Sequence, residues 1–270
     1  MKTYRFGVLG AGSMGKTIAA GAVRAGLFRP DEVLLFNRSE EKRAANRAEG
    51  LRRDRRLHRG LHRVRYCAAV GQAAELCRGA ACSSPNASAK SRLFWSTAAG
   101  ISFAKIEAAL GADTPIIRAM PNTPLMLGVG ATQLVKNAAA SEAQLAAVRS
   151  LFDAMGVTTV FEHEDMINEA IPYAGSAPAY IYAYADAMVQ SAKKHGIDEK
   201  DALQMFCQTM IGAAKMLMQG DKTPAELIRA VRSPGGTTLA GMQVLEERDL
   251  YGMVAEACDK CTARAYELGK

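Results

Sequence analysis

The sequence lacks the features that mark membrane proteins and small disulfide-stabilised proteins. No run of eighteen residues is both apolar and uncharged, and the N-terminus leads into a strand-like segment instead of an export signal. Six cysteines in 270 residues lack the dense spacing of a disulfide scaffold. We therefore expect a soluble, cytoplasmic protein with reduced cysteines.

The sequence also lacks the residue patterns that are typical of a metal site. The four histidines form no constellation. Cys258 and Cys261 have CxxC spacing, but no second pair and no histidine lies nearby in the sequence. We expect ordinary reduced cysteines here and no metal site.

Strand-forming residues are scarce in one long stretch. Residues 40–92 contain no isoleucine, threonine or phenylalanine, and Val64 and Val70 are their only β-branched residues. Buried parallel strands are usually rich in such residues. We therefore predict that residues 44–95 do not supply the two buried strands that a doubly wound sheet would need there.

The positive charge of the chain is concentrated in the same stretch. The formal net charge is +7, and residues 43–65 alone hold nine arginines against Glu49 and Asp54. The remaining residues therefore sum to zero, so the basicity says little about the rest of the protein. Three explanations stay open: genuine divergence, an arginine-rich run that binds nucleic acid, and a shifted reading frame. The last is suggested because regrouping the codons of Ala81–Pro85 by one base gives mostly apolar residues.

The N-terminal half alternates between strand and helix patterns. Short apolar runs at Tyr4–Leu9, Glu32–Phe36, Pro115–Met120 and Thr158–Phe161 alternate with helix-forming segments that end at glycines. This order predicts an α/β fold with a Rossmann-like doubly wound sheet over residues 1–162.

From residue 163 onward only helical patterns remain, over 165–194, 198–219, 223–231 and 237–268. Several of these helices carry apolar residues on more than one face and need more than one neighbour. We predict an all-α dimerisation domain over residues 163–270 and a homodimer built on it; a monomeric bundle is the alternative.

A glycine-rich turn follows the first predicted strand and opens a helix. Gly10, Gly12 and Gly15 form GxGxxG, whose turn, close backbone approach and helix–strand packing suit a dinucleotide pyrophosphate. The predicted cofactor-binding residues of this turn are Gly10, Ala11, Gly12, Ser13, Met14 and Gly15.

The end of the second predicted strand bears on the choice of cofactor. An NAD-preferring enzyme would place an acidic residue there, whereas this chain has Asn37, Arg38 and Ser39. A guanidinium and a hydroxyl suit a 2′-phosphate, which favours NADP and leaves NAD as a second choice. The alternative is a solvated arginine paired with Glu40 or Glu41.

The segment SPGGTT, Ser233–Thr238, precedes the last helical pattern. Two glycines at a helix N-terminus allow successive backbone N–H groups to converge on an anion such as a carboxylate. The two threonine hydroxyls can donate to or accept from a ring nitrogen. A plain helix N-cap is the alternative.

The motifs taken together resemble those of the pyrroline-5-carboxylate reductase family. The ordered set comprises Gly10–Gly15, MPNTP at Met120–Pro124, GSAPAY at Gly175–Tyr180 and SPGGTT at Ser233–Thr238. The resemblance covers residues 1 to about 43 and about 96 to 270. In GSAPAY this chain has Ala177 where similar members usually have glycine, which costs stability only if a positive φ is needed.

The resemblance implies reduction of 1-pyrroline-5-carboxylate to L-proline by hydride from NAD(P)H. It implies that Thr238 is the catalytic residue and that Pro121 and Asn122 join the cofactor site. The implied substrate-binding residues are Ser233, Gly235, Gly236, Thr237 and Thr238. It also implies a homodimer, with a higher assembly of dimers left open, and neither nucleic acid nor membrane as partner. Other readings are a different NADPH-dependent imine or oxo-acid reductase, an impaired homologue, or a nucleic-acid binder.

Overall fold

A computed structural model of the chain describes residues 5–10, 12–36, 66–70 and 93–269. The described strands form one seven-stranded sheet in the order β2-β1-β3-β4-β5-β6-β7. Neighbouring strands are parallel except β5 and β6, which are antiparallel. The strands are β1 Phe6–Leu9, β2 Val33–Phe36, β3 Tyr66–Ala69, β4 Leu93–Ser96, β5 Ile116–Pro121, β6 Gly130–Lys136 and β7 Gly156–Val160. The predicted Rossmann-like sheet is confirmed.

Helices accompany the sheet and then dominate the chain. In order they are α1 Ser13–Arg24, α2 Phe103–Leu110, α3 Glu142–Asp153, α4 Met166–Ala170, α5 Ala177–Lys194, α6 Glu199–Gln219, α7 Pro224–Val231, α8 Thr237–Glu247 and α9 Leu250–Gly269. Pro30–Glu32 and Thr123–Leu127 form 3₁₀ turns, and Ile171–Gly175 forms a π-helical turn. None of the helices in the described ranges combines the length and apolar content needed to cross a membrane.

Local signals placed several helix ends correctly. A Ser or Thr followed three residues later by Gln or Glu predicts a capping box. Ser141 and Gln144 form one at the start of α3, and Thr223 and Glu226 form one at the start of α7. In the second box the Glu226 carboxylate accepts hydrogen bonds from the backbone N–H and hydroxyl of Thr223. These bonds, the backbone one above all, lower the pKa of Glu226 below 4.5 because they favour the charged form.

Two long helical predictions are interrupted in the structure. The helix expected over 165–194 is divided by the π-helical turn Ile171–Gly175, which contains Pro172. Proline cannot donate a backbone hydrogen bond and displaces the preceding turn. The helix expected over 237–268 is broken at Asp249, whose φ of 53° is left-handed. Aspartate tolerates this conformation better than most residues.

The prediction that residues 44–95 lack buried strands is wrong. Tyr66–Ala69 forms β3 in the middle of the sheet, and Leu93–Ser96 forms β4 beside it. Small side chains suffice in β3 because large rings on the flanking strands fill the space: Phe6 of β1 and Trp95 of β4 lie 5.0 Å apart between ring centroids. The arginine-rich run, residues 43–65, and residues 81–85, whose codons suggested a shifted reading frame, lie outside the described residues.

The main apolar core includes residues of the sheet, α1 and α3. Its largest fully buried side chains include Phe6, Ile18, Trp95, Leu151 and Phe152. Burying a side chain of this size contributes about 1.5–3 kcal/mol. The sheet is thus a firm support for the turns at its carboxyl edge.

The chain divides into two compact units. The first is Met1–Ser176 with Cys261–Lys270, and the second is Ala177–Lys260. This division differs from the predicted domains 1–162 and 163–270 in the assignment of 163–176 and 261–270. In α5 to α8 only Ala185, Val189 and Ala202 are buried. Large apolar side chains of the same helices are exposed, among them Ile181, Tyr182, Tyr184, Met205, Ile211, Met218, Val231 and Val244.

Candidate functional site

The glycine turn after β1 has the form expected of a dinucleotide site. Gly10 has a φ of 82°, and the N–H of Gly12 donates to the carbonyl oxygen of Gly10 at 2.8 Å. Helix α1 then begins at Ser13, with Gly12 as an N-cap that provides no side-chain cap. Because glycine has no side chain, Gly12 does not cap the first backbone N–H groups of α1. A phosphate site at a helix N-terminus requires N–H groups that are not capped in this way.

The two later glycines of the turn differ in their surroundings. A Cβ built on Gly15 would lie 2.6 Å from the carbonyl oxygen of Gly10 and 3.2 Å from Cγ1 of Val8. A Cβ built on Gly12 would meet nothing within 4 Å. Gly15 thus allows α1 to pack closely on β1, while Gly12 leaves space above the turn. Both features fit a bound pyrophosphate.

The other predicted residues of this turn divide into described and undescribed ones. Ser13 is exposed in the first turn of α1, and Met14 is half-buried against the main core. Ala11, Asn37, Arg38 and Ser39 lie outside the described residues, so the expected contacts to a 2′-phosphate stay a prediction.

Asn122 follows β5 at the same carboxyl edge of the sheet as Gly10. Its Oδ1 accepts from the backbone N–H of Ala131 at 2.9 Å, and its Nδ2 donates to the carbonyl oxygen of Ala174 at 3.2 Å. Asn122 is 9% exposed, and Pro121 before it is buried. Ligands of open α/β sheets bind beyond the carboxyl ends of the strands. The backbone of Pro121 and Asn122 therefore has the right location to border a cofactor.

The SPGGTT loop lies in the second compact unit. Gly235 has a φ of 70°, and the N–H of Gly236 donates to the carbonyl oxygen of Ser233 at 3.0 Å. Gly236 is the N-cap of α8 without a side-chain cap, and Thr237 and Thr238 are the first residues of that helix. Both threonines are exposed. The loop thus presents N–H groups and two hydroxyls at one helix N-terminus, as predicted for a carboxylate site.

An ion pair between a buried arginine and a partly exposed glutamate in the first unit was not predicted. Arg118 of β5 is 3% exposed, and its Nη1 lies 2.9 Å from Oε1 of Glu164. The same oxygen accepts from the backbone N–H of Phe103 at 2.6 Å. The sequence signal for this pair was Arg118 within the apolar run Pro115–Met120, because an arginine in a buried strand needs a partner of opposite charge.

The remaining questions raised by the sequence concern Ala177 and the cysteines. Among the described residues, only Asp249 combines a side chain with a positive φ, so Ala177 carries no left-handed strain. Cys258 and Cys261 form no disulfide, and Sγ of Cys261 lies 3.2 Å from Oγ of Ser176. In the described part of the chain no three histidine, cysteine or acidic side chains are grouped as metal ligands.

Comparisons with known proteins agree with this architecture. Residues 164–268 match the family model "pyrroline-5-carboxylate reductase dimerisation", and residues 5–76 match "NADP oxidoreductase coenzyme F420-dependent". The pyrroline-5-carboxylate reductase of Escherichia coli is 32% identical, over 98% of each chain. A solved pyrroline-5-carboxylate reductase from Coxiella burnetii superposes with a TM-score of 0.87 at 29% identity, over 100% of both chains. The Streptococcus pyogenes enzyme gives a TM-score of 0.86 at 28% identity, over 98% of this chain and 99% of that one. The chain belongs to the pyrroline-5-carboxylate reductase family.

Proposed function

We propose that this protein reduces 1-pyrroline-5-carboxylate to L-proline with NADPH, the last step of proline biosynthesis. The observation that carries the proposal is the match to this family over almost the whole chain, together with the dinucleotide turn formed by Gly10, Gly12 and Gly15. It is an oxidoreductase acting on a C=N bond.

NADP is the cofactor. NADPH, when bound, supplies the hydride for the C=N carbon of the substrate. The N-terminus of α1 and the turn Gly10–Gly15 would hold the pyrophosphate, Asn37, Arg38 and Ser39 would hold the 2′-phosphate, and Pro121 and Asn122 would border the nicotinamide end. The open space above Gly12 supports this arrangement, because a backbone without a side chain allows close approach.

The substrate is assigned to the SPGGTT loop. The backbone N–H groups of Gly235 and Thr237 would hold the carboxylate at the N-terminus of α8, while the N–H of Gly236 donates to the carbonyl oxygen of Ser233 and closes the loop. The Thr238 hydroxyl would hold a hydrogen bond to the ring nitrogen and help to protonate it, which makes the neighbouring carbon a better hydride acceptor. Binding and orientation supply most of the remaining rate enhancement.

We propose a division of the chain into two functional domains, which the two matched regions support. Residues 1–162 form the NADP-binding domain, and residues 163–270 form the dimerisation and substrate domain. The exposed apolar helix faces support a homodimer, because so large an apolar surface is rare on a monomer. We further propose a cytoplasmic location, which the free cysteines of the described residues support, and no nucleic-acid or membrane partner.

The test is a spectrophotometric assay of NADPH oxidation with 1-pyrroline-5-carboxylate and, in parallel, other cyclic imines and oxo acids. The wild-type protein should oxidise NADPH fastest with 1-pyrroline-5-carboxylate. Thr238→Val keeps the shape of the side chain but removes the hydroxyl, so its kcat should fall about 100-fold or more. Thr238→Ser keeps the hydroxyl and should retain most of the activity. A wild-type protein that prefers an oxo acid would contradict the proposal.

A further inference from the structure

The side chain of Asn122 joins three elements that are distant in the sequence. It follows β5, accepts from Ala131 of β6 at 2.9 Å, and donates to Ala174 of the π-helical turn at 3.2 Å. As the N-cap of a 3₁₀ turn it would ordinarily cap that turn, but it makes no such bond. Its amide is used to hold β6 and the π-helical turn against the carboxyl end of β5.

The carbonyl oxygen of Ala174 needs this donor because of the local sequence. In a continuing α-helix it would accept from the N–H of residue 178, but that residue is Pro178, which has none. Ala174 is 8% exposed, and a buried carbonyl without a donor is unfavourable. Asn122 therefore replaces a hydrogen bond that Pro178 makes impossible.

We infer that Asn122 is a positioning residue that fixes the segment leading into the dimerisation helices to the cofactor edge of the sheet. The π-helical turn ends at Gly175, and α5 begins at Ala177. The backbone of Asn122 is assigned to the border of the cofactor site, whereas its side chain donates to the π-helical turn. The inference rests on the proposed function, in which the residues of the glycine turn hold the cofactor and the SPGGTT loop holds the substrate. The π-helical turn lies between these two groups of residues in the sequence.

Asn137 provides a matched control at the other end of the same strand pair. It is 6% exposed and accepts from the N–H groups of Ile116 and Ala140. Its Nδ2 donates to Glu107 and to the carbonyl oxygen of Thr114. Asn137 thus makes more hydrogen bonds than Asn122, but it lies at the amino end of β5, away from the cofactor edge.

The experiment compares Asn122→Ala with Asn137→Ala in kinetics, NADPH affinity and hydrogen exchange. Asn122→Ala should lower kcat about 10-fold to 100-fold because the residues at the cofactor edge lose a fixed neighbour, with NADPH affinity within about threefold of wild type. Asn137→Ala should lose at least as much stability and keep kcat. Asn122→Asp keeps the acceptor for Ala131 but cannot donate to Ala174, so its kcat should fall as well.

Hydrogen exchange at residues 171–176 tests the contact between Asn122 and Ala174 independently of enzymatic activity. Exchange there, including the Ser176 N–H that donates to Ile171, should accelerate in Asn122→Ala and stay unchanged in Asn137→Ala. Unchanged exchange in Asn122→Ala, an equal loss of kcat in Asn137→Ala, or a loss of NADPH affinity above about 10-fold would overturn the inference. An inactive wild-type protein would instead refute the proposed function, and hydrogen exchange would still decide the role of Asn122.

Discussion

Alanine substitutions at Gly12 and Gly15 should separate cofactor binding from folding within one turn. A methyl group on Gly15 would lie 2.6 Å from the carbonyl oxygen of Gly10, so α1 or the turn must shift. Overpacking of this kind costs about 1–3 kcal/mol. For a chain of this size each kcal/mol lowers the Tm by about 2–4 °C. Gly15→Ala should therefore lose about 2–12 °C in Tm.

Gly12→Ala should keep the stability of the protein and weaken its binding of NADPH. Its new methyl group would meet nothing within 4 Å, and Gly12 has an ordinary φ of −75°. Alanine lowers the entropy of the unfolded chain, which stabilises the folded protein by about 0.4–1 kcal/mol. Alanine is also a poorer N-cap residue than glycine, which offsets about the same amount. Stability should stay within about 1 kcal/mol of wild type. The methyl group would nevertheless occupy the space assigned to the pyrophosphate, so NADPH affinity should fall about 10-fold or more.

The assays are thermal unfolding followed by circular dichroism and NADPH titration followed by fluorescence, each on the unmodified chain and both variants. Normal NADPH binding by Gly12→Ala would show that the pyrophosphate does not approach that glycine. A Gly15→Ala protein as stable as wild type would show that the close contact with Gly10 relaxes without cost. Either result would refute the division of roles within the turn.

Two further predictions concern stability. Glu164→Met leaves the buried guanidinium of Arg118 without its anion and should lower the free energy of unfolding by about 3 kcal/mol in urea titrations. A loss below about 1 kcal/mol would mean that the pair behaves as a surface ion pair. The folded-state pKa of Glu226 lies below 4.5 because its carboxylate accepts bonds from Thr223. The stabilisation of the folded state by the charged Glu226 is fully present above pH 4.5 and is lost as the pH falls through the lowered pKa. Acidification should therefore lower the Tm of wild type more than that of Glu226→Gln. Equal dependence of the two Tm values on pH would contradict this.

Features encoded within a few residues could be predicted from the sequence. The capping boxes at Ser141 and Thr223 and the glycine turn after β1 each depend on neighbours close in the chain. The order of these signals was also sufficient to predict a parallel sheet followed by helices. Local chemistry therefore predicted most of the architecture and the candidate cofactor turn.

Features that depend on distant partners could not be predicted. Strand β3 has the weak sequence YCAA, and its burial comes from Phe6 and Trp95 on the flanking strands. Asn122 was assigned to the cofactor from its motif, whereas its side-chain partner Ala174 is 52 residues away. In both cases the determining contact joins segments whose proximity only the folded sheet reveals.

The sparse burial within α5–α8 has a consequence for how the protein is assembled. In the proposed homodimer, helices with so many exposed apolar faces would bury them against the second chain, so folding and association would be coupled and stability would depend on protein concentration. A cell that makes an inactive variant beside the normal protein would therefore hold mixed pairs from the time of synthesis, and the variant would affect the normal copies as well as its own.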